Sequence, residues 1–220
     1  MKHFLSLLLV LSLAPLALQG QNTSGNRIPD NDFYLMPSFA PGTIFFRGQS
    51  PARAMINICA VDQTLRFLDD NGTELSINDQ DAIIQVQIDT VRFMRSGGAF
   101  YRMYPVTREI GIAFRRDTKI TQGAKKGAFG MTDQTGSIQQ YTTLYSDTSA
   151  QLLNQNKPVA YTVSEGIFFY SGDSVFKFNK ASLKKVFPNH KDEIETYFKS
   201  GNKIPATIDA ARALIATWIQ

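Results

Sequence analysis

Leu65-Arg66-Phe67-Leu68-Asp69-Asp70-Asn71-Gly72-Thr73-Glu74-Leu75-Ser76-Ile77 is the stretch on which the fold turns. Leu65 and Phe67 alternate with polar or outward positions, and Leu75 and Ile77 repeat the alternation after the break. Period two over both halves predicts two strands sharing one apolar face. Between them stands Asp70-Asn71-Gly72, a tight-hairpin signal, because Asn-Gly accepts positive φ at both turn positions.

The same period runs outward in both directions, from Thr43 to about Ile120. Ile44 and Phe46 alternate with Phe45 and Arg47, and Met55–Val61 forms the next apolar run. Ile84, Val86 and Ile88 alternate, but the phase then slips by one residue to Val91 and Phe93. That slip predicts a bulge or bend near Asp89-Thr90. Ser96-Gly97-Gly98 turns the chain into Phe100–Tyr104, and Ile110, Ile112 and Phe114 make a further strand. Residues 121–157 change character, with three glycines in Gly123–Gly130 and then a run of Ser, Thr, Gln and Asn. Such a composition predicts a long loop. Strand signals return at Val159, Tyr161 and Val163 and at Ile167 and Phe169. Ser171-Gly172-Asp173-Ser174 then turns into Val175–Phe178.

The C-terminus switches to helical spacing. Asn179 is placed to cap a helix bearing Leu183, Val186 and Phe187, ended by Pro188. Asn189 is placed to cap a second, with Asp192 and Glu193 in its first turn and Gly201 as its stop. Ile208, Ala211, Ile215 and Trp218 mark a third. The expected fold is therefore mainly β with a helical C-terminus (α+β). Its sheet would be an antiparallel meander, a sandwich or a partly closed barrel, with two to three short helices packed on it.

Residues 1–20 read as an export signal: Met1-Lys2-His3, an apolar core from Phe4 to Leu13, Pro15, and small residues up to a cut after Gly20. Cleavage removes Lys2, the one charged residue of that stretch, and lowers the net charge from +4 to +3. The expected division is a signal at 1–20, an irregular lead-in at 21–41, a β-rich domain at 42–178, and helices at 179–220 on the same domain. No cysteine stands near the cut, so a lipid anchor is not expected. No later stretch reaches the roughly 18 apolar residues of a membrane span. The expectation is a soluble exported chain: periplasmic, outer-membrane associated or extracellular. With 43% apolar and 19% charged residues, the 220-residue chain is not of the disordered class.

The residue order resembles a family of exported proteins of Bacteroidota that carries no assigned activity. The residues that bear the likeness are the hairpin Leu65–Gly72, the strand Val86–Phe93, Lys126-Gly-Ala-Phe-Gly130 with its Ser/Thr-rich sequel, and Phe178–Pro188 with the helix that follows. The likeness spans roughly residues 42–219. It implies the compartment and the strands-then-helices order, and it brings no catalytic residue with it.

Two histidines and one cysteine narrow the chemistry. A nucleophilic triad needs a His base, and His190 at a helix start is the sole candidate after export. One His and one Cys fall short of a zinc site, and no metal or cofactor is expected. Cys59 has no partner within the chain and reads as a small buried apolar residue. Paired carboxylates remain for a glycan hydrolase: Asp69/Asp70, Asp79/Asp81 and Asp192/Glu193/Glu195. Each also suits a turn, a loop or a helix N-terminus.

Charge is concentrated between Asp89 and Lys126, where nine basic residues face three acidic ones. Arg92, Arg95, Arg102, Arg115, Arg116, Lys125 and Lys126 are the candidate contacts for an anionic ligand; Arg108 and Lys119 complete the nine. The expected partners are envelope polysaccharide, an anionic lipid headgroup or another envelope protein. Nucleic acid is not expected. Aromatics cluster at Phe100-Tyr101, Tyr104, Tyr141, Tyr145 and Phe168-Phe169-Tyr170, a pattern that serves either sugar binding or core packing. A non-enzymatic binding or assembly protein is the leading expectation, and a carboxylate-based glycan hydrolase is the alternative.

Overall fold

The computed structural model describes residues 22–25, 28–121 and 159–219. Eleven strands form one antiparallel sheet. They are β1 (Asn22–Gly25), β2 (Ala40–Phe46), β3 (Ala52–Ile58), β4 (Leu65–Leu68), β5 (Glu74–Ser76), β6 (Ile83–Ile88), β7 (Val91–Ser96), β8 (Ala99–Pro105), β9 (Ile110–Thr121), β10 (Val159–Ser171) and β11 (Ser174–Lys177). The order across the sheet is β1-β10-β9-β8-β7-β6-β2-β3-β4-β5, with β11 also on β10. Helices α1 (Asp30–Phe33), α2 (Lys180–Val186), α3 (Lys191–Lys199) and α4 (Ile208–Ala216) complete the described fold. It is the expected mainly β architecture with a helical C-terminus, realised as a meander in a single sheet that is not closed.

One face of the sheet supplies most of the core, and on the other Met94, Tyr101, Ala113 and Tyr170 pack as a smaller cluster. At one end Ile44, Ile56, Ile58, Leu65, Val86, Ile88, Phe93 and Phe100 pack together. At the other, Ile112 and Phe169 pack against Leu183 and Phe187 of the α2 region, Ile194 of α3, and Ala211, Ile215 and Trp218 of the α4 region. The short helices owe their stability to this contact, since isolated helices of such length are marginal in water. Fully burying each large side chain contributes about 1.5–3 kcal/mol.

Several local readings are sharpened. The Leu65–Ile77 hairpin forms, with Phe67 opposite Leu75. Its loop has three residues: Gly72 N–H donates to Asp69 O at 2.9 Å and Asp69 N–H to Thr73 O at 3.0 Å. Only Gly72, at φ +77°, takes the left-handed conformation, so this is a type I turn with a glycine bulge and not a two-residue Asn-Gly turn. The Asp69 carboxylate accepts from the Asn71 and Thr73 N–H groups, at 2.9 and 2.7 Å.

The phase slip at Asp89-Thr90 is neither bulge nor simple bend. It is a chain reversal, with Ile88 paired to Val91 and Asp89 at φ +51°. A two-residue turn restarts the alternation, and Asp tolerates positive φ better than most side chains. The expected irregular lead-in contains an edge strand, β1, paired to β10, a one-turn helix, α1, and the start of β2.

Among the helices, the Asn179 side chain accepts from Ser182 N–H and caps α2 as expected. Asn189 does not cap α3. It lies within the 3-10 turn Pro188–His190, and α3 starts from His190 with no side-chain cap. The proline, with its fixed φ, takes up the position where a capped turn would begin. The expected loop at 121–157 lies outside the described residues apart from Thr121, which ends β9. No helix among the described residues is long and apolar enough to cross a membrane.

Candidate functional site

Strand β8 fails to complete its ladder on both sides, and the two gaps have different fates. On the β7 side the last rung is Phe93↔Arg102. The next rungs in that register would join Arg92 to Met103, Val91 to Tyr104 and Thr90 to Pro105. None forms. Pro105 has no N–H to donate to the Thr90 rung, and β8 continues instead against β9.

The strands part here and open a cleft of about 480 Å³ lined by those six residues, with Arg102, Thr107, Arg108 and Tyr170. This volume lies within the usual range of small-ligand sites. Arg92, Arg102 and Arg108 are all exposed. Among the described residues none of the three pairs with a carboxylate, and no acidic residue lines the cleft. The Arg102 guanidinium lies over the Tyr104 ring, 5.3 Å from its centroid, a contact that steadies the cation without neutralising it.

Tyr170 is only 1% exposed, and its ring crosses Gly111, where a Cβ would stand 2.6 Å from the phenol oxygen. Its hydroxyl has no hydrogen-bond partner among the described residues. Burial holds this phenol above its ordinary range, against a smaller opposing effect of the Arg92 charge. It is therefore a protonated donor at neutral pH.

On the β9 side the last rung is Arg102↔Phe114, and the next two in register would be Tyr101↔Arg115 and Phe100↔Arg116. Here a side-chain amide fills the gap. Gln63 Oε1 accepts from Phe100 N–H at 3.0 Å, and its Nε2 donates to Arg116 O at 3.0 Å and to Ala60 O at 3.2 Å. Beside it Thr118 N–H donates to Ala60 O at 3.0 Å. The β3–β4 connection thus touches β9 across a sheet that carries no ladder between them.

The seven cations expected to form one patch are divided. Arg92 and Arg102 both line the cleft, from opposite faces of the sheet in the β7–β8 register. Arg95 packs on the Phe100 ring and donates to Gln63 O and to Asp81. Arg116 pairs with Asp32 at 2.5 Å and Glu165 at 3.6 Å. Arg115 pairs with Asp117 at 2.7 Å, and that hydrogen bond is the main cause of its raised pKa. Lys125 and Lys126 lie outside the described residues, as do Tyr141 and Tyr145. Arg108 was visible as one of nine cations, but its neighbour Glu109 offsets it in a one-dimensional count. The part of Tyr170 is not legible in the sequence, since the place of its hydroxyl depends on the β10–β9 register.

The candidate carboxylates serve local structure. Asp69 holds its turn, the Asp79 side chain accepts from Ala82 N–H, and Asp81 pairs with Arg95. Glu193 meets His190 Nδ1 at 3.1 Å. Glu195 gathers Lys180, Lys184 and Lys199. The second open depression, lined by Pro41–Thr43, Arg53–Met55, Gln87 and Asp89, carries one carboxylate. Cys59 is buried beside Ile28, Phe33 and Tyr161. Among the described residues no group of three His, Cys, Asp or Glu side chains is arranged to hold a metal. Comparison with protein-family models, curated proteins and solved structures returns no match for this chain.

Proposed function

We propose that the protein is an exported, non-enzymatic binding or assembly protein that takes an anionic group of an envelope component into the β7–β8 cleft. The observation that carries this reading is the set of three arginines, Arg92, Arg102 and Arg108, around a cleft with no acidic lining. Guanidinium groups match carboxylate, sulfate and phosphate oxygens bidentately. An anion in the cleft would supply the countercharge that its lining lacks among the described residues. The signal-like residues 1–20 support export. The carboxylate-hydrolase alternative finds no support in the clefts, where no two acidic side chains face each other among the described residues.

The test is affinity for a soluble polyanion, dextran sulfate, at two salt concentrations. The double substitution Arg92→Glu/Arg108→Glu is expected to weaken binding at least tenfold and to flatten the salt dependence. Lys119→Glu, an exposed site on β9 away from the cleft, gives a comparison for a bulk-charge effect. Equal losses in the two proteins would refute the cleft as the site.

A further inference from the structure

Three arginines alone would fit any small anion, but the cleft holds a second kind of group. Tyr170 is one of its lining residues, 1% exposed overall, and its hydroxyl has no hydrogen-bond partner among the described residues. The oxygen itself is not sealed from solvent, so an acceptor brought into the cleft can replace water as its partner. Thr90 and Thr107 add two further hydroxyl-bearing side chains to the lining.

On the strength of the anion-binding reading above, we infer that the ligand is an acidic sugar: a sugar ring carrying a carboxylate, sulfate or phosphate. Its charged group meets Arg92, Arg102 and Arg108, while a ring or hydroxyl oxygen accepts from Tyr170. The charged end is held by exposed, hydrated guanidinium groups, and the neutral polar end by the Tyr170 hydroxyl. A simple inorganic anion uses the first set and leaves the second empty.

A lipid headgroup is the less suitable occupant. The large apolar side chains that stand exposed, Met55, Leu75, Ile84 and Ile204, do not line the cleft. A surface that docks on a bilayer usually presents apolar or aromatic residues to the acyl boundary beside its cations. Gly111 fixes the floor. A side chain there would displace the Tyr170 hydroxyl, so the donor's place is built into the β9–β10 pair.

The experiment is calorimetric titration of the purified full chain with galacturonate and a short galacturonate oligomer. Galactose, sodium sulfate and anionic phosphatidylglycerol vesicles are the comparison probes. Galacturonate and its oligomer are expected to bind, and galactose to bind at least tenfold more weakly. Tyr170→Phe is expected to weaken the acidic sugars about tenfold, the value of one hydrogen bond, and to leave sulfate unchanged.

Arg92→Gln, at an exposed position, is expected to weaken sulfate and acidic sugars alike, and a thermal melt of each variant establishes folding. Three results overturn the inference while leaving the anion site standing: sulfate bound as tightly as galacturonate, vesicles bound in preference to both, or Tyr170→Phe without effect on a folded protein. If no anion binds, the inference fails together with the reading beneath it.

Discussion

Replacing Gln63 by Ala tests whether one amide ties the β3–β4 connection to β8 and β9. Gln63 stands at φ +55°, in a left-handed conformation that costs a non-glycine residue about 1–2 kcal/mol. It is 7% exposed. Its side chain spans Phe100 N–H and Arg116 O, both within 3.0 Å. Truncation leaves a buried donor and a buried acceptor without that bridge, and each such loss costs about 1–3 kcal/mol. Some of this is recovered as water enters or the strands draw together. The expected loss in unfolding free energy is about 3–5 kcal/mol, a large part of the ~5–15 kcal/mol of an ordinary domain.

Denaturant titration gives the number, and amide exchange locates it. Phe100 and Thr118 N–H should lose protection ahead of the α2–α4 core. Gln63→Gly removes the same bonds but relieves the backbone, so it should be about 1 kcal/mol more stable than Gln63→Ala. Gln63→Glu keeps the volume and loses the donor, turning a carboxylate toward the Arg116 and Ala60 oxygens. It should be at least as damaging as Ala at pH 7. A loss below about 1 kcal/mol in Gln63→Ala, with Thr118 protection unchanged, would refute the bridging role.

Gly111→Ala places a methyl group 2.5 Å from Tyr104 O and 2.6 Å from the Tyr170 hydroxyl. It should cost about 1–3 kcal/mol by overpacking, read as a lowered melting temperature. Hydrogen bonds from Lys184 and then Lys180 hold the Glu195 carboxyl down to about 2, below its ordinary 4.5. A depressed carboxylate adds stability that is present above pH 4.5 and is lost as the pH falls toward 2. Fluorescence of Trp218, which packs on Phe187 and Tyr197, should report loosening in that window. Glu195→Gln should flatten the dependence, and an unchanged acid titration in that variant would refute the assignment. Burial pushes the Cys59 thiol far up, so a thiol reagent should leave it unmodified in the native protein and modify it stoichiometrically in denaturant. Rapid labelling without denaturant would contradict its placement.

The alternation of apolar residues was enough to locate most of the strands, because each has one face in the core. Phe100, Ile112 and Phe169 announced their strands in this way, and Asn179 announced a helix start. Local spacing alone did not distinguish a tight reversal from a bulge at Asp89-Thr90, since both shift the phase by one residue. The order in which β2 inserts between β3 and β6 is a long-range property that no local pattern encodes. For the site, the charge count drew attention to residues 89–126 but treated all nine cations alike. Whether an arginine is paired depends on what the fold brings to it: Asp32 to Arg116 from 84 positions away in sequence, or no acidic side chain among the described residues to Arg92 and Arg102. Gln63 and Tyr170 matter through single polar atoms at particular rungs, and composition is blind to that.

The two gaps beside β8 argue jointly about the open one. Buried backbone donors and acceptors are almost always paired, and an interrupted ladder is a cost that a fold has ways to meet. Beside β9 the chain meets it from within, spending a residue in a strained conformation so that an amide can stand in for the missing rung. Beside β7 three consecutive rungs are missing, and among the described residues no side chain bridges them in the same way. Arg92, Arg102 and Arg108 line that gap beside Val91, Met103 and Tyr104, and the Tyr170 hydroxyl has no partner among the described residues, the chemistry of a site completed by something that arrives. The contrast within one strand makes the β7–β8 cleft, rather than the basic strand face as a whole, the place where a ligand belongs.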